Sequence, residues 1–213
     1  MNKKAKGMTL VEIIIAIALT TTVLIVIGTF FFTNSKMLST ADVKSELQKD
    51  SDNIQTELVK IGSESNGISK IKYDPDPSGV LQSSSSVTYQ SLVGTERQLP
   101  VYELYFTHYT NEALTTTKEY KFVLNKDVGA ETGKLTLTYQ NGTEKVLSQN
   151  VVDFKIKPIG VEKIADVELK NHKFDETEAI EVVVNLRKKS GFVDETLPVN
   201  VVINMRNKDA IRL

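Results

Sequence analysis

The chain has 213 residues, with 26 basic against 27 acidic side chains and no cysteine. That length holds about one ordinary domain plus an anchor, and the missing cysteine excludes disulfides, thiolate metal sites and cysteine nucleophiles together. Setting aside residues 1–7, with their three lysines, leaves 23 basic against 27 acidic residues. A mildly acidic balance argues against nucleic-acid binding, which draws most of its affinity from neutralised phosphates.

The first element is an apolar run over residues 8–32 behind Lys3, Lys4 and Lys6. It is too long for the apolar core of a cleaved secretory signal and has no small-residue cleavage site after it. At about 1.5 Å per residue it reaches roughly 37 Å, enough to cross a hydrocarbon core of about 30 Å. The lysines in front of it predict a cytoplasmic N-terminus and an extracytoplasmic C-terminal domain. Inside this run stands Glu12. An acid in a membrane segment costs roughly 2.5–3.5 kcal/mol on insertion scales, so it marks a function and a waiting partner.

Residues 33–62 continue as an amphipathic helix, with Met37, Ala41, Leu47, Ile54, Leu58 and Ile61 as its apolar positions. Gly62 and the polar cluster at 63–67 are expected to stop it. One continuous helix from residue 8 to 61 would be roughly 80 Å long. The rest, residues 63–213, reads as a β-rich head domain.

Ile68, Ile71 and Tyr73 form a short, ambiguous strand; Asp74-Pro75-Asp76-Pro77-Ser78-Gly79 is turn chemistry. Strands are expected at 101–109, with Tyr102, Leu104 and Phe106 on one face, and at 119–124, with Tyr120 and Phe122. Leu135, Leu137 and Tyr139 alternate up to an Asn141-Gly142 hairpin turn, and a return strand follows at 144–147. Val152, Phe154 and Ile156 mark another strand. The clearest two carry Ile180, Val182, Val184, Leu186 and Val199, Val201, Ile203, Met205, with residues 188–198 between them as a polar loop. A long N-terminal helix followed by an antiparallel meander is an α+β fold.

The order Lys6-Gly7-Met8-Thr9-Leu10-Val11-Glu12, then apolar helix, amphipathic helix and sheet, resembles the class III signal and layout of type IV pilins and pseudopilins. The chain's size and its closing strand at 199–207, ending Met205-Arg206-Asn207, are similar to the larger minor pilins and pseudopilins of the J/W class. The resemblance implies that prepilin peptidase cuts between Gly7 and Met8 and that the new Met8 amine is methylated. It implies further that Glu12, fifth residue of the mature chain, pairs with the α-amine of a neighbouring subunit's first residue. A buried charge left alone is heavily penalised, so such a pair would set axial register during assembly.

The implied partners are the peptidase, the membrane, and other pilins through the N-terminal helix. The implied location is a single-pass cytoplasmic-membrane precursor that later enters a surface filament. Type IV pilus, secretion pseudopilus and competence pseudopilus all remain open. In one respect the chain departs from major pilins, which usually carry proline at mature residue 22; here that place is Thr29, beside Gly28. Without a proline no kink is expected.

The other candidate residues have plainer readings. Asp74 to Gly79 imitates the start of a calcium loop, but the twelfth position is Ser85 rather than a bidentate glutamate. His108 and His172 are the only histidines and lie on different segments, a poor zinc set. Asn141-Gly142-Thr143 fits a glycosylation sequon, though the hairpin turn explains it. Arg187-Lys188-Lys189 and Arg206-Asn207-Lys208 read as solvated strand ends. No P-loop, G-x-S-x-G or H-E-x-x-H pattern occurs, so neither a catalytic residue nor a cofactor is assigned. The competing reading from another class is a signal-anchored extracytoplasmic binding protein whose N-terminus is never processed.

Overall fold

A computed structural model describes residues 8–73, 82–84, 86–88, 97–109, 117–127, 129–159, 173–174 and 177–205. Gly7, the Asp74 to Gly79 turn, His172 and the Arg206-Asn207-Lys208 cluster lie outside the described residues. One helix, α1 (Leu10–Glu64), is followed by eight strands: β1 (Gly67–Tyr73), β2 (Gln82–Ser83), β3 (Leu99–Tyr109), β4 (Thr117–Asn125), β5 (Gly133–Thr138), β6 (Glu144–Pro158), β7 (Ala179–Ser190) and β8 (Val193–Asn204). The strands form a single sheet in the order β2-β1-β3-β4-β5-β6-β7-β8, with every pair antiparallel. The expected α+β architecture is therefore present.

The 55-residue α1 is about 80 Å long. Its first half is uncovered: the apolar window near its start has mean hydropathy 2.7 and none of it is buried. Its second half lays Val43, Leu47, Ile54, Leu58 and Ile61 against the sheet, all 3 % exposed or less. Met37 and Ala41, expected on that stripe, are exposed. At 100° per residue they lie about 120° and 160° around the axis from Val43, so the stripe that starts at Val43 leaves them outside.

The helix ends inside the expected 63–67 cluster rather than at Gly62: it runs two residues further to Glu64 and is capped by Ser65, whose amide and hydroxyl both donate to the Gly62 carbonyl. What Gly62 supplies is closeness. A Cβ there would meet the side chain of Ile203 on β8, with Cδ1 at 2.9 Å and Cγ2 nearer still.

β4 and β5 form a wedge in the sheet. Beyond their connection, β3 and β6 meet directly, Leu99 opposite Ile156 and Pro100 opposite Lys155. Phe106 and Phe122 pack edge to face in the core at 5.9 Å, and Phe154 and Phe174 are also fully buried.

Three strand readings need correction. In β3 the inward set is Leu99, Val101, Leu104 and Phe106, while Tyr102 is 38 % exposed. The pairing jumps from Lys72 opposite Glu103 to Tyr73 opposite Val101, a bulge that uses up Tyr102 and flips side-chain parity. In β6 the stretches at 144–147 and 152–156 are one strand, and a second irregularity leaves Val152 half-buried while Val151 points inward. Finally, 188–198 is not a loop. β7 and β8 stay paired up to Ser190 opposite Val193, joined by Gly191 and Phe192 alone. Gly191 has φ +56° and Phe192 a negative φ, the II′ pattern that asks for glycine at the first central position.

Candidate assembly site on the N-terminal helix

Thr9 is the N-cap of α1, with extended backbone, and Glu12 closes a capping box with it. The Thr9 amide donates to Glu12 Oε2 at 2.8 Å, the Thr9 hydroxyl donates to the same oxygen at 2.9 Å, and the Glu12 amide donates back to Thr9 Oγ1 at 3.3 Å. A helix start has unpaired amides and a positive dipole end, so a carboxylate folded back on it satisfies one amide and favours the dipole. The carboxylate of Glu12 is thereby held beside the first turn, close to Met8, which is itself exposed. Thr9 escaped notice at the sequence level, although Thr-x-x-Glu ahead of an apolar run is the capping-box pattern.

Along the apolar half the polar side chains satisfy themselves. Thr20, Thr21, Thr22, Thr29 and Thr33 each donate to the carbonyl four residues earlier, at 2.8–2.9 Å. That makes a run of threonines tolerable in a medium without water. The helix is α throughout and passes Gly28 and Thr29 unbroken. From Leu10 to Phe32 every residue is exposed, a mostly apolar surface that the chain's own head leaves uncovered except where Phe192 approaches Phe32.

Where the helix enters the head, polar contacts fasten it. Lys44 pairs with Glu195 at 3.8 Å and Glu46 with Lys188. Asp50 accepts from Ser148 Oγ at 2.6 Å and Asn150 Nδ2 at 3.0 Å. Glu57, only 7 % exposed, takes Lys145 Nζ at 2.7 Å and the Tyr139 hydroxyl at 3.4 Å. The hydrogen bond from Lys188 draws the Glu46 carboxyl below its usual range, and the bond to Glu57 raises the Lys145 ammonium. Half-buried His108 sets Nε2 2.9 Å from the Ile61 carbonyl in the last helical turn, which requires the proton on Nε2. Burial pushes its pKa down, partly opposed by that bond.

The basic run on β7 is engaged within the fold. Arg187 donates twice to Asp194 at 2.8 and 2.6 Å, Lys188 meets Glu46 on the helix, and Lys189 reaches Glu131 at 2.6 Å. At Asn141-Gly142, Gly142 has φ +79° and the Tyr139 amide bonds the Thr143 carbonyl, so the expected turn is formed. Among the described residues no cluster of His, Asp and Glu is arranged for a metal ion.

Residues 2–28 match the model of the prokaryotic N-terminal methylation motif. The chain carries that motif. The match covers Lys3, Lys4 and Lys6, Glu12 and most of the apolar half of α1, and it supports the resemblance to type IV pilin-like prepilin-peptidase substrates. No curated protein and no solved structure gives a match. The methylation motif thus covers the uncovered end of the helix and stops before the head.

Proposed function

We propose that this protein is a minor pilin or pseudopilin, a structural subunit of the larger J/W type that enters or initiates a type IV pilus or a related secretion or competence pseudopilus. The observation that carries the reading is the methylation motif at 2–28, which runs into a helix whose apolar half its own head leaves bare. Before assembly that half spans the cytoplasmic membrane, with the sheet domain outside; in the filament it packs among other pilin helices. Prepilin peptidase cuts between Gly7 and Met8, and the Met8 amine is then methylated.

Glu12 is the register device. Cleavage creates a cationic amine at Met8, and the Glu12 carboxylate of one subunit pairs with the Met8 amine of the next. Until then Thr9 occupies the carboxylate, which supports a resting arrangement in which Glu12 keeps two hydrogen bonds while it waits. Pairing in a helical bundle offsets a membrane penalty of roughly 2.5–3.5 kcal/mol per acid. The paired contacts at Glu46, Asp50 and Glu57 hold the head on the other half of the helix, so force on the helix passes to the head.

Intact-mass and N-terminal analysis after co-expression with a prepilin peptidase tests the reading. A product starting at methylated Met8 is expected; an uncut chain, or cleavage beyond Phe32, sinks it in favour of an unprocessed anchored binding protein. Glu12→Ala is expected to be cleaved normally yet to fail in filament incorporation, and normal incorporation would remove the pairing role.

A further inference from the structure

The apolar half of α1 ends in Phe30-Phe31-Phe32, three rings each at least 59 % exposed. The tip of the β7–β8 hairpin returns to this level. Phe192, 85 % exposed, sits with its ring centroid 6.0 Å from that of Phe32. Between tip and helix lies a groove of about 330 Å³, with Phe32, Ser35, Lys36 and Ser39 on the helix side and residues 190–193 on the other. A II′ turn needs glycine at its first position and makes no demand for a large aromatic at its second, so local backbone chemistry does not explain Phe192.

Ion pairs hold the hairpin at this depth. Arg187–Asp194 fastens the two strands to each other, Lys188–Glu46 and Lys44–Glu195 fasten them to the helix, and Lys189–Glu131 ties β7 to the β4–β5 connection. Whatever medium surrounds Phe32 therefore also surrounds Phe192. Aromatic rings gather where hydrocarbon gives way to headgroups, and a lysine such as Lys36 can lay its stem along apolar surface and carry its charge to a phosphate.

We propose that the β7–β8 hairpin tip is a second membrane contact, in which Phe192 enters the lipid interface beside Phe32 and fixes the tilt of the head domain on the bilayer before assembly. This rests on the reading of residues 8–32 as a membrane span. The occupant favoured here is lipid, because the groove is continuous with the lipid-facing surface of the helix.

The chain has no tryptophan and no cysteine, so single probes can be placed cleanly. The full chain carrying Phe192→Trp is reconstituted in phosphatidylcholine–phosphatidylglycerol vesicles, with and without lipids brominated along the acyl chain. Leu24→Trp in the span and Val202→Trp on the outer sheet face, 57 % exposed in the parent chain, are the references. The expected result is blue-shifted emission from Phe192→Trp, with bromolipid quenching below that of Leu24→Trp and well above that of Val202→Trp. Ser190→Cys bearing an environment-sensitive dye gives an independent reading of the tip and is expected to shift in the same direction on reconstitution.

Water-like emission from Phe192→Trp while Leu24→Trp is quenched would overturn the proposal and leave the span intact. Blue-shifted emission that bromolipid does not quench, and that grows with the protein-to-lipid ratio, would replace lipid by a second copy of the chain. An unquenched Leu24→Trp would remove the span itself, and the proposal with it.

Discussion

Gly62→Ala separates two opposing effects whose sizes can be set against each other. Alanine in place of glycine inside a helix is worth about 1 kcal/mol in propensity, so on local grounds the substitution stabilises α1. Against that, the new Cβ would lie 2.9 Å from Ile203 Cδ1 and nearer to Cγ2. Comfortable carbon–carbon contact begins at about 3.5 Å. Cγ2 hangs directly on the branched Cβ, whose χ1 is stiff, and Ile203 is 1 % exposed in a packed layer. The methyl group cannot swing away, so helix and β8 must part. Overpacking of this kind costs typically about 1–3 kcal/mol, and the net expectation is destabilisation of up to about 2 kcal/mol.

The assay is urea unfolding of the full chain in detergent, followed by near-ultraviolet dichroism of its seven tyrosines. The midpoint should fall with the slope unchanged. Ile203→Ala alone should cost about 2–5 kcal/mol through its cavity. In the double variant the methyl group introduced at position 62 enters the vacated space, so the pair should lose about 1–3 kcal/mol less than the sum of the singles. A Gly62→Ala protein more stable than the parent, with no coupling to position 203, would refute the close-approach argument.

Two further outcomes follow from the head. Lys145→Met leaves Glu57 buried with only the long Tyr139 bond; because the lysine is 43 % exposed, the expected loss is about 1 kcal/mol, read as a lowered urea midpoint. The folded pKa of Lys145 is raised, so its contribution is complete below the unfolded lysine value and fades only as alkaline pH rises through the folded one. His108 has the opposite sign: its folded pKa is lowered by burial, so protonation favours the unfolded chain. Stability should decline as pH falls below the ordinary histidine value, about 6.5. His108→Gln should flatten that part of the profile, and an unchanged slope would count against it.

Much of the head was legible because strand faces alternate. Ile180, Val182, Val184 and Leu186 on β7, and Val199, Val201 and Ile203 on β8, point inward as their period-two pattern requires. The pattern failed at Tyr102 and Val152, where one extra residue in a strand reverses parity, and no local preference announces a bulge. It failed again at 188–198, where charge looked like a loop; those charges are satisfied across strands and against the helix, at distances only the folded chain brings together.

By itself the sequence determined the frame of the molecule: an apolar run with an acid at its start, three lysines ahead of it, a methylation motif and an α+β order of elements. These depend on neighbours within a few residues, where composition and period carry the information. The tertiary structure decided what those elements meet. It turned Gly62 from a helix stop into a contact with Ile203, and the basic run at 187–189 into internal pairs. It also brought Phe192 back to Phe32, about 160 residues away along the chain. Apart from Arg187–Asp194, which a hairpin brings together, such contacts depend on how helix and sheet pack in three dimensions, and no short window along the chain contains both partners.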